Sequence, residues 1–305
     1  MALAPMANVT DVAFRSIIAK YGKPDLMYTE FVSADGLGSA GREHLLIDLK
    51  FSEAERPIVA QFFGATPDHF YQAALLAQEL GFDGIDINMG CPDRAVLKQG
   101  AGAALIETPE LAQEIIRETK RGAGPLPVSV KTRLGLKKNT LKSWLPRLLE
   151  TDLAAVIIHG RTAKELSLVP ARWEDIAEAV KIREKSGLGA EETLILGNGD
   201  VKSLADAEAK AKDYGLDGVM AGRGIFGNPW FFAGTGEPDA KEKLRVMVEH
   251  TRLFEKIFSG IKSFDVMKKH YKAYANGFPG AKELRIKLMA AKNADEVYQI
   301  VKTQF

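Results

Sequence analysis

The sequence predicts an α/β fold, a (βα)8 TIM barrel followed by a small all-α helical bundle, and three observations carry that prediction. Eight short apolar runs alternate with longer amphipathic segments over about 235 residues, the count and length of such a barrel. Most of the runs are apolar throughout rather than alternating, as strands buried on both faces of a parallel sheet must be. Past residue 240 the strand-like runs stop and only helical patterns remain.

The runs are Ala2–Pro5, Leu26–Val32, Ile58–Phe63, Gly84–Asn88, Val128–Thr132, Ala155–His159, Leu194–Gly197 and Gly218–Ala221. The first is short, so the barrel is expected to be thinly closed there. Between the runs lie helical patterns at Pro67–Leu80, Pro109–Arg121, Leu141–Thr151, Trp173–Lys185 and Ser203–Tyr214. Thr66-Pro67 and Thr108-Pro109 place a capping residue before a proline at the first helical position. Gly234 to Pro238 reads as a linker, which divides the chain into a barrel over 1–236 and a helical domain over 237–305. In the second part Lys241–Ile257, Ser263–Ala275, Ala281–Ala290 and Ala294–Thr303 read as helices, with a turn at Gly277-Phe278-Pro279-Gly280.

Composition limits the function classes. With 305 residues, 46% hydrophobic and 27% charged, the chain has the makeup of a soluble globular protein. No apolar run is long enough to span a bilayer, and Met1 to Met6 lacks the features of a signal peptide. The one cysteine, Cys91, has no internal disulfide partner and fits a reducing compartment, so a cytoplasmic protein is expected. The net charge of +1 is unevenly spread. Residues 241–305 hold 14 Lys and Arg against 7 Asp and Glu, a net of +7, and the remainder carries −6. The tail therefore reads either as a polyanion-binding surface or as a solvated helical face.

Polar residues at the C-terminal ends of barrel strands are the candidates for chemistry, because the barrel interior is otherwise apolar. They are Gln61 after strand 3, Asn88 and Cys91 after strand 4, Lys131 and Arg133 on strand 5, and His159 and Arg161 after strand 6. Strands 7 and 8 end in Gly197-Asn198-Gly199-Asp200 and Ala221-Gly222-Arg223-Gly224. Paired glycine-rich turns at these two strands, with an arginine, read as a phosphate site. Lys131 inside a strand needs an anionic partner, which is either a structural ion pair or a flavin that becomes anionic on reduction. Gln61 and Asn88 offer paired donors and acceptors, suited to the edge of a flavin or a pyrimidine. Cys91 is mostly protonated near neutrality and can donate a proton, whereas a nucleophilic role needs an activating neighbour. The pattern alone leaves acid and nucleophile both open.

These motifs together resemble the tRNA-dihydrouridine synthases. The resemblance runs through Ala4-Pro5-Met6-Ala7, Val59-Ala60-Gln61, Asn88-Met89-Gly90-Cys91-Pro92, Lys98-Gln99-Gly100-Ala101-Gly102 and Val130-Lys131-Thr132-Arg133-Leu134-Gly135. It continues through His159-Gly160-Arg161-Thr162, Gly197-Asn198-Gly199-Asp200, Met220-Ala221-Gly222-Arg223-Gly224, Gly227-Asn228-Pro229-Trp230, Lys268-Lys269-His270-Tyr271 and Gly277-Phe278-Pro279-Gly280-Ala281.

The resemblance implies FMN across the barrel mouth and NADPH as its reductant. Pro5, Met6, Ala7, Gln61, Lys131 and His159 would meet the cofactor, with Asn198, Gly199, Asp200, Gly222 and Arg223 at its phosphate end. Hydride then goes to C6 of a uridine and Cys91 protonates C5, with Asn88, His159, Arg133 and Arg161 around the uracil. Lys268, Lys269 and His270 would meet tRNA, and Lys262, Lys272, Lys282, Arg285 and Lys287 would hold its phosphates. A monomer with no metal is expected. The chain departs from the family pattern at Lys164–Trp173, where the family has Gln, Tyr and Gly before Ala-Asp-Trp. It also starts almost at Ala4-Pro5-Met6, so a truncated or unusually short N-terminus is expected. The competing readings are another FMN barrel acting on a free pyrimidine or enoate, and a tRNA-binding chaperone without chemistry. The basic tail argues against the first, and the flavin set with Cys91 against the second.

Overall fold

The structure, a computed structural model, describes residues 1–189, 191–236 and 238–304. Glu237, where the helical domain was expected to begin, lies outside the described residues. Eight parallel strands form one sheet: β1 (Ala2–Leu3), β2 (Met27–Ser33), β3 (Ile58–Phe63), β4 (Gly84–Met89), β5 (Val128–Gly135), β6 (Ala155–Thr162), β7 (Leu194–Asn198) and β8 (Gly218–Ala221). Their order is β1-β8-β7-β6-β5-β4-β3-β2, and the ring is completed by the Leu3 N–H donating to the Leu26 carbonyl at 2.9 Å. The thin closure expected at the first strand is present: β1 is two residues long and meets Leu26 through a single bridge.

Side chains alternate between two cores. Ile58, Ala60 and Phe62 of β3 and Ile85, Ile87 and Met89 of β4 face outward into the main hydrophobic cluster, with Phe70 and Ala77 of the helix Pro67–Glu79. The opposite phase supplies a small cluster on the barrel axis: Ala2, Ala4, Tyr28, Val59, Ile157, Leu196 and Met220. A strand's period of two then dictates that Gln61, Asp86, Asn88, Lys131, Arg133, His159, Arg161 and Asn198 share the axial phase, toward the barrel mouth. Thr66 and Thr108 precede their prolines as expected, yet neither hydroxyl caps a first-turn amide. Their carbonyls receive the first helical N–H groups instead, from His69 at 3.1 Å and Ala112 at 3.0 Å.

The tail folds as the helices Ala240–Phe258, Lys268–Tyr274, Ala281–Ala290 and Ala294–Lys302. The continuous helix expected over Ser263–Ala275 is divided, with a 3-10 turn at Phe264–Met267 capped by Ser263. Leu244, Met247, Phe254, Phe258, Tyr271, Tyr274, Leu284 and Val297 make a second hydrophobic cluster that includes Val12, Ala13 and Ile17 of the helix Val12–Tyr21. The tail is thereby docked on the barrel's first helix. At Gly227 (φ +66°) a Cβ would lie 2.4 Å from the Ala273 carbonyl, so backbones touch where only glycine fits.

The seam between the two cores satisfies its own charges. Lys262 Nζ lies 3.0 Å from Glu30 and 2.6 Å from Asp48, and Lys269 Nζ donates to the Asn8 carbonyl at 2.6 Å. Lys20 and Tyr21 both donate to Glu249, at 2.5 and 2.6 Å. These contacts correct two expectations. Lys262 is used inside the protein rather than offered to RNA. His270 is fully buried, its ring 4.7 Å from that of His250 and 4.8 Å from that of Phe14, so it meets no ligand from solvent. Lys268 is paired with Asp265 at 2.5 Å, and Arg285 donates to the Ala275 carbonyl at 2.8 Å, so that of the tail cations expected to meet RNA, Lys272, Lys282 and Lys287 are the exposed ones.

Candidate active site at the barrel mouth

A cleft of about 790 Å³ opens at the C-terminal ends of the strands, within the size range of small-molecule and cofactor sites. It is lined by Pro5, Met6, Lys131, His159, Asn198, Gly199, Asp200, Gly222 and Arg223 among the expected cofactor residues, and by Arg133. Pro92, next to Cys91, also lines it. Ala7, Gln61, Asn88, Cys91 and Arg161 lie outside the lining: Gln61 is fully buried beneath the floor and Arg161 is buried behind the wall.

The phosphate end is built from two turns. Gly199 (φ +130°) and Asp200 (φ +48°) hold the backbone after β7 in conformations that L side chains rarely adopt. Among the described residues the backbone N–H groups of Gly199, Asp200, Gly222, Arg223 and Gly224 donate to no other group, so they remain available to an anion. The Asp200 carboxylate does not face that anion. It accepts from Arg161 Nη2, from the Ala171 N–H at 2.9 Å and from Arg223 Nη2 at 2.8 Å, and these donors hold it below the usual carboxylate range. Asp200 thus orients Arg223, whose side chain stays 60% exposed at the cleft edge.

The opposite end is cationic, and the Asp86 carboxylate under the floor offsets its charge only in part. Lys131 makes no hydrogen bond or ion pair among the described residues. Burial, then repulsion by Arg133, pushes its amine down to about 8. Arg133 is pushed down to about 10, chiefly by burial, and donates to the carbonyls of Gly90 (2.7 Å), Thr162 (3.1 Å) and Leu166 (3.2 Å). Burial and four surrounding cations hold His159 neutral, well below its ordinary value. Its Nε2 stands 3.1 Å from Arg161 Nη1; arginine only donates, so Nε2 accepts and the proton sits on Nδ1.

Under the floor a directional relay reaches the cysteine loop. Asp86 accepts from Ser129 Oγ and from Gln61 Nε2, both at 2.6 Å. Gln61 Oε1 accepts from Asn88 Nδ2 at 3.0 Å, and Asn88 Oδ1 accepts the N–H groups of Gly90 (3.1 Å) and Cys91 (2.9 Å). Burial pushes the Asp86 carboxyl up to about 6. Gln61 and Asn88 therefore spend part of their amide capacity on each other, and Asn88 fixes the loop that carries Cys91. The Cys91 thiol is half-buried and raised by that burial, so it is protonated at neutral pH. Asp86 and Ser129 were not among the sequence candidates. The signal was there: both share the axial phase with Gln61, Asn88 and Lys131, and the register pairs Asp86 with both Gln61 and Ser129.

A flat, anionic, phosphate-bearing cofactor fits these residues. The free amides and Arg223 suit a phosphate, Lys131 supplies the missing countercharge for an anionic ring, and Pro5 and Met6 give the cleft an apolar wall.

Comparisons with known proteins bear on the family and the fold. The family model described as Dihydrouridine synthase (Dus) matches residues 2–305. A probable tRNA-dihydrouridine synthase of Staphylococcus aureus (strain COL) is 41% identical over 298 residues, covering 96% of this chain and 89% of the relative. Probable tRNA-dihydrouridine synthase 2 of Bacillus subtilis (strain 168) is 40% identical over 299 residues, covering 97% and 90%. Among solved structures, morphinone reductase matches with a TM-score of 0.56 at 14% identity, covering 79% of this chain and 87% of that one. The old yellow enzyme homologue of Zymomonas mobilis matches at 0.53 and 16%, covering 79% and 90%. At these identities the two structures bear on the fold alone.

Proposed function

The chain belongs to the dihydrouridine synthase family, a family of flavin-dependent oxidoreductases, and from that premise we propose that it reduces a uridine of tRNA to 5,6-dihydrouridine with FMN and NADPH. The observation that carries this reading is the pairing of a cleft with an excess of cations and a protonated thiol on the residue next to its lining residue Pro92. Asp200 orients Arg223, and Arg223 with the free amides of the β7 and β8 turns binds the cofactor's phosphate. Lys131 neutralises negative charge on the ring system, and His159, neutral with its proton on Nδ1, offers that N–H as a donor to ring or uracil.

FMN held by these residues would supply hydride chemistry toward C6 of the uracil. The remaining steps belong to the chain. Cys91 Sγ–H gives its proton to C5, so hydride and proton together saturate the C5–C6 bond and the thiolate is reprotonated from solvent. Asn88 holds the Cys91 amide and thus the thiol's position. Arg133, anchored by three carbonyls, stabilises negative charge on the uracil as hydride arrives. The exposed Lys272, Lys282 and Lys287 contact the tRNA backbone, which makes affinity fall as salt rises. The barrel over 1–236 carries the chemistry and the helices over 237–305 carry the RNA, in a cytoplasmic monomer. Among the described residues no helix is long and apolar enough to cross a membrane.

The test is to incubate unmodified tRNA with the protein, FMN and NADPH and to map dihydrouridine in the product. A yellow protein that forms dihydrouridine is expected. A colourless protein that fails to take up FMN, or one that forms no dihydrouridine in any tRNA, overturns the reading.

A further inference from the structure

The loop after β6 carries at its tip the most exposed large apolar side chain among the described residues. Leu168 is 82% exposed and Leu166, two residues earlier, is 46% exposed. A single exposed leucine is ordinary. This one stands on a loop that the protein holds at considerable cost. Arg133 and Arg161, both buried, donate to the carbonyls that flank the tip, Leu166 at 3.2 Å and Val169 at 2.5 Å. Glu165 takes both terminal nitrogens of Arg172 (2.8 and 3.0 Å) and the Thr162 N–H (2.7 Å), and its carbonyl accepts the Leu168 N–H at 2.9 Å. Leu166 has φ +52°, a strained conformation for a leucine that the surroundings must enforce. Three arginines and a strained backbone thus fix a loop whose two leucines gain little burial from it.

The loop's position gives the tip a use. Leu166 and Ser167 line the cleft, and Leu168 is the next residue outward. A uracil stacked in folded RNA has to leave its stack before C5 and C6 reach a cleft of this depth, and the vacated space must be filled or the neighbouring bases close over it. Proteins that hold nucleic acid in unstacked states commonly insert an apolar side chain for this purpose. A rigid mount serves it better than a mobile one, because little entropy is then lost on insertion.

We propose that Leu168, backed by Leu166, is a wedge that enters the base stack vacated by the target nucleotide and thereby selects uridines in folded RNA. The proposal rests on the reading of the protein as a uridine reductase. A protein partner is the alternative occupant of the tip. RNA is favoured because two residues of the same loop, Leu166 and Ser167, line the reaction cleft that the target base has to enter.

The test compares wild type with Leu168→Ala, Leu168→Asp and Leu168→Met on folded tRNA and on a short unstructured RNA containing uridine. Leu168 packs against little, so melting temperature and FMN content should be unchanged in all three variants. On folded tRNA, kcat/KM is expected to fall at least about tenfold for Ala and further for Asp, while Met, which keeps the apolar volume, stays near wild type. Any activity on the unstructured RNA should be insensitive to all three. An unchanged kcat/KM for Asp on folded tRNA overturns the wedge, and so does a Met variant as slow as Asp. A changed sedimentation mass in Leu168→Asp with unchanged RNA kinetics assigns the tip to a protein contact instead. If wild type itself forms no dihydrouridine in either RNA, it is the functional reading that fails.

Discussion

The barrel mouth and the seam beneath the helical tail both gather charged side chains away from water, and they settle those charges in opposite ways. In the seam the enclosed cation has its own anions: Lys262 sits between Glu30 and Asp48. At the exposed rim of the seam Glu249 accepts from Lys20, Tyr21 and Arg245. At the mouth, Lys131, Arg133, Arg161 and Arg223 crowd a cleft in which Asp200 is the one lining carboxylate, and Asp86 lies under the floor. Burying a charge without a partner costs stability, so a fold retains such an arrangement where the partner arrives from outside. The difference separates a joint that is complete in itself from a site that is completed by a ligand.

Matched substitutions test the contrast, and the largest effect is expected at the working end of the mouth. Cys91→Ala should lower dihydrouridine formation by about 10²–10⁴-fold, the usual worth of a general acid, while bound flavin measured by absorbance is unchanged. Next come the two lysines. Lys262→Met leaves Glu30 and Asp48 buried and facing one another and should cost about 3–5 kcal/mol in denaturant unfolding, with flavin still bound. Lys131→Met should do the reverse: the apoprotein is no less stable, because the burial of the amine and its repulsion by Arg133 outweigh its attraction to Asp86, and FMN affinity drops about tenfold or more in a fluorescence titration. If both lysines behave alike in both assays, the contrast is wrong.

Asp86→Asn should have a smaller effect, about tenfold on turnover, seen as a lower kcat with little change in KM for tRNA. A variant with wild-type kcat would remove the relay from the account. The smallest effect is on pH. Lys131 has its pKa lowered to about 8, so in the apoprotein its amine is charged below that pH and neutral above it. FMN affinity should therefore hold up to about pH 8 and weaken above it, by at most about tenfold per pH unit. Lys131→Arg, whose charge persists, should flatten that decline.

The sequence reading anticipated the eight strands in order, and β3 and β8 match to the residue, because strands buried on both faces leave continuous apolar runs between turn signals. Strands β4 to β7 all extend farther toward the mouth than expected, since polar side chains near their ends (Asn88, Arg133, Arg161 and Asn198) interrupt the apolar runs before the ladder stops. Asp86 was missed for a related reason. In Gly84-Ile85-Asp86-Ile87 a carboxylate looks like an interruption, whereas counting in twos along β3, β4 and β5 puts it on the axial face with Gln61 and Ser129. His270 was misplaced because a basic run outweighed the helical period. Met267, His270, Tyr271 and Tyr274 fall on one stripe, and that stripe is the buried one. The roles of Lys262 and of Arg161 were not legible at all, because the anions that claim them lie 232 and 39 residues away in the chain.

The amide relay under the floor carries a consequence for how this sequence can change. Its hydrogen bonds all run one way, from the Cys91 and Gly90 amides through Asn88 and Gln61 to Asp86. Putting a donor where Asp86 now accepts turns Gln61 around, Gln61 turns Asn88, and Asn88 then presents N–H groups to the N–H groups of the cysteine loop. Single substitutions along this line are accordingly blocked from both ends. Asp86, Gln61 and Asn88 form one inherited unit whose members can be exchanged only together, and related chains should show these three positions varying in concert or not at all.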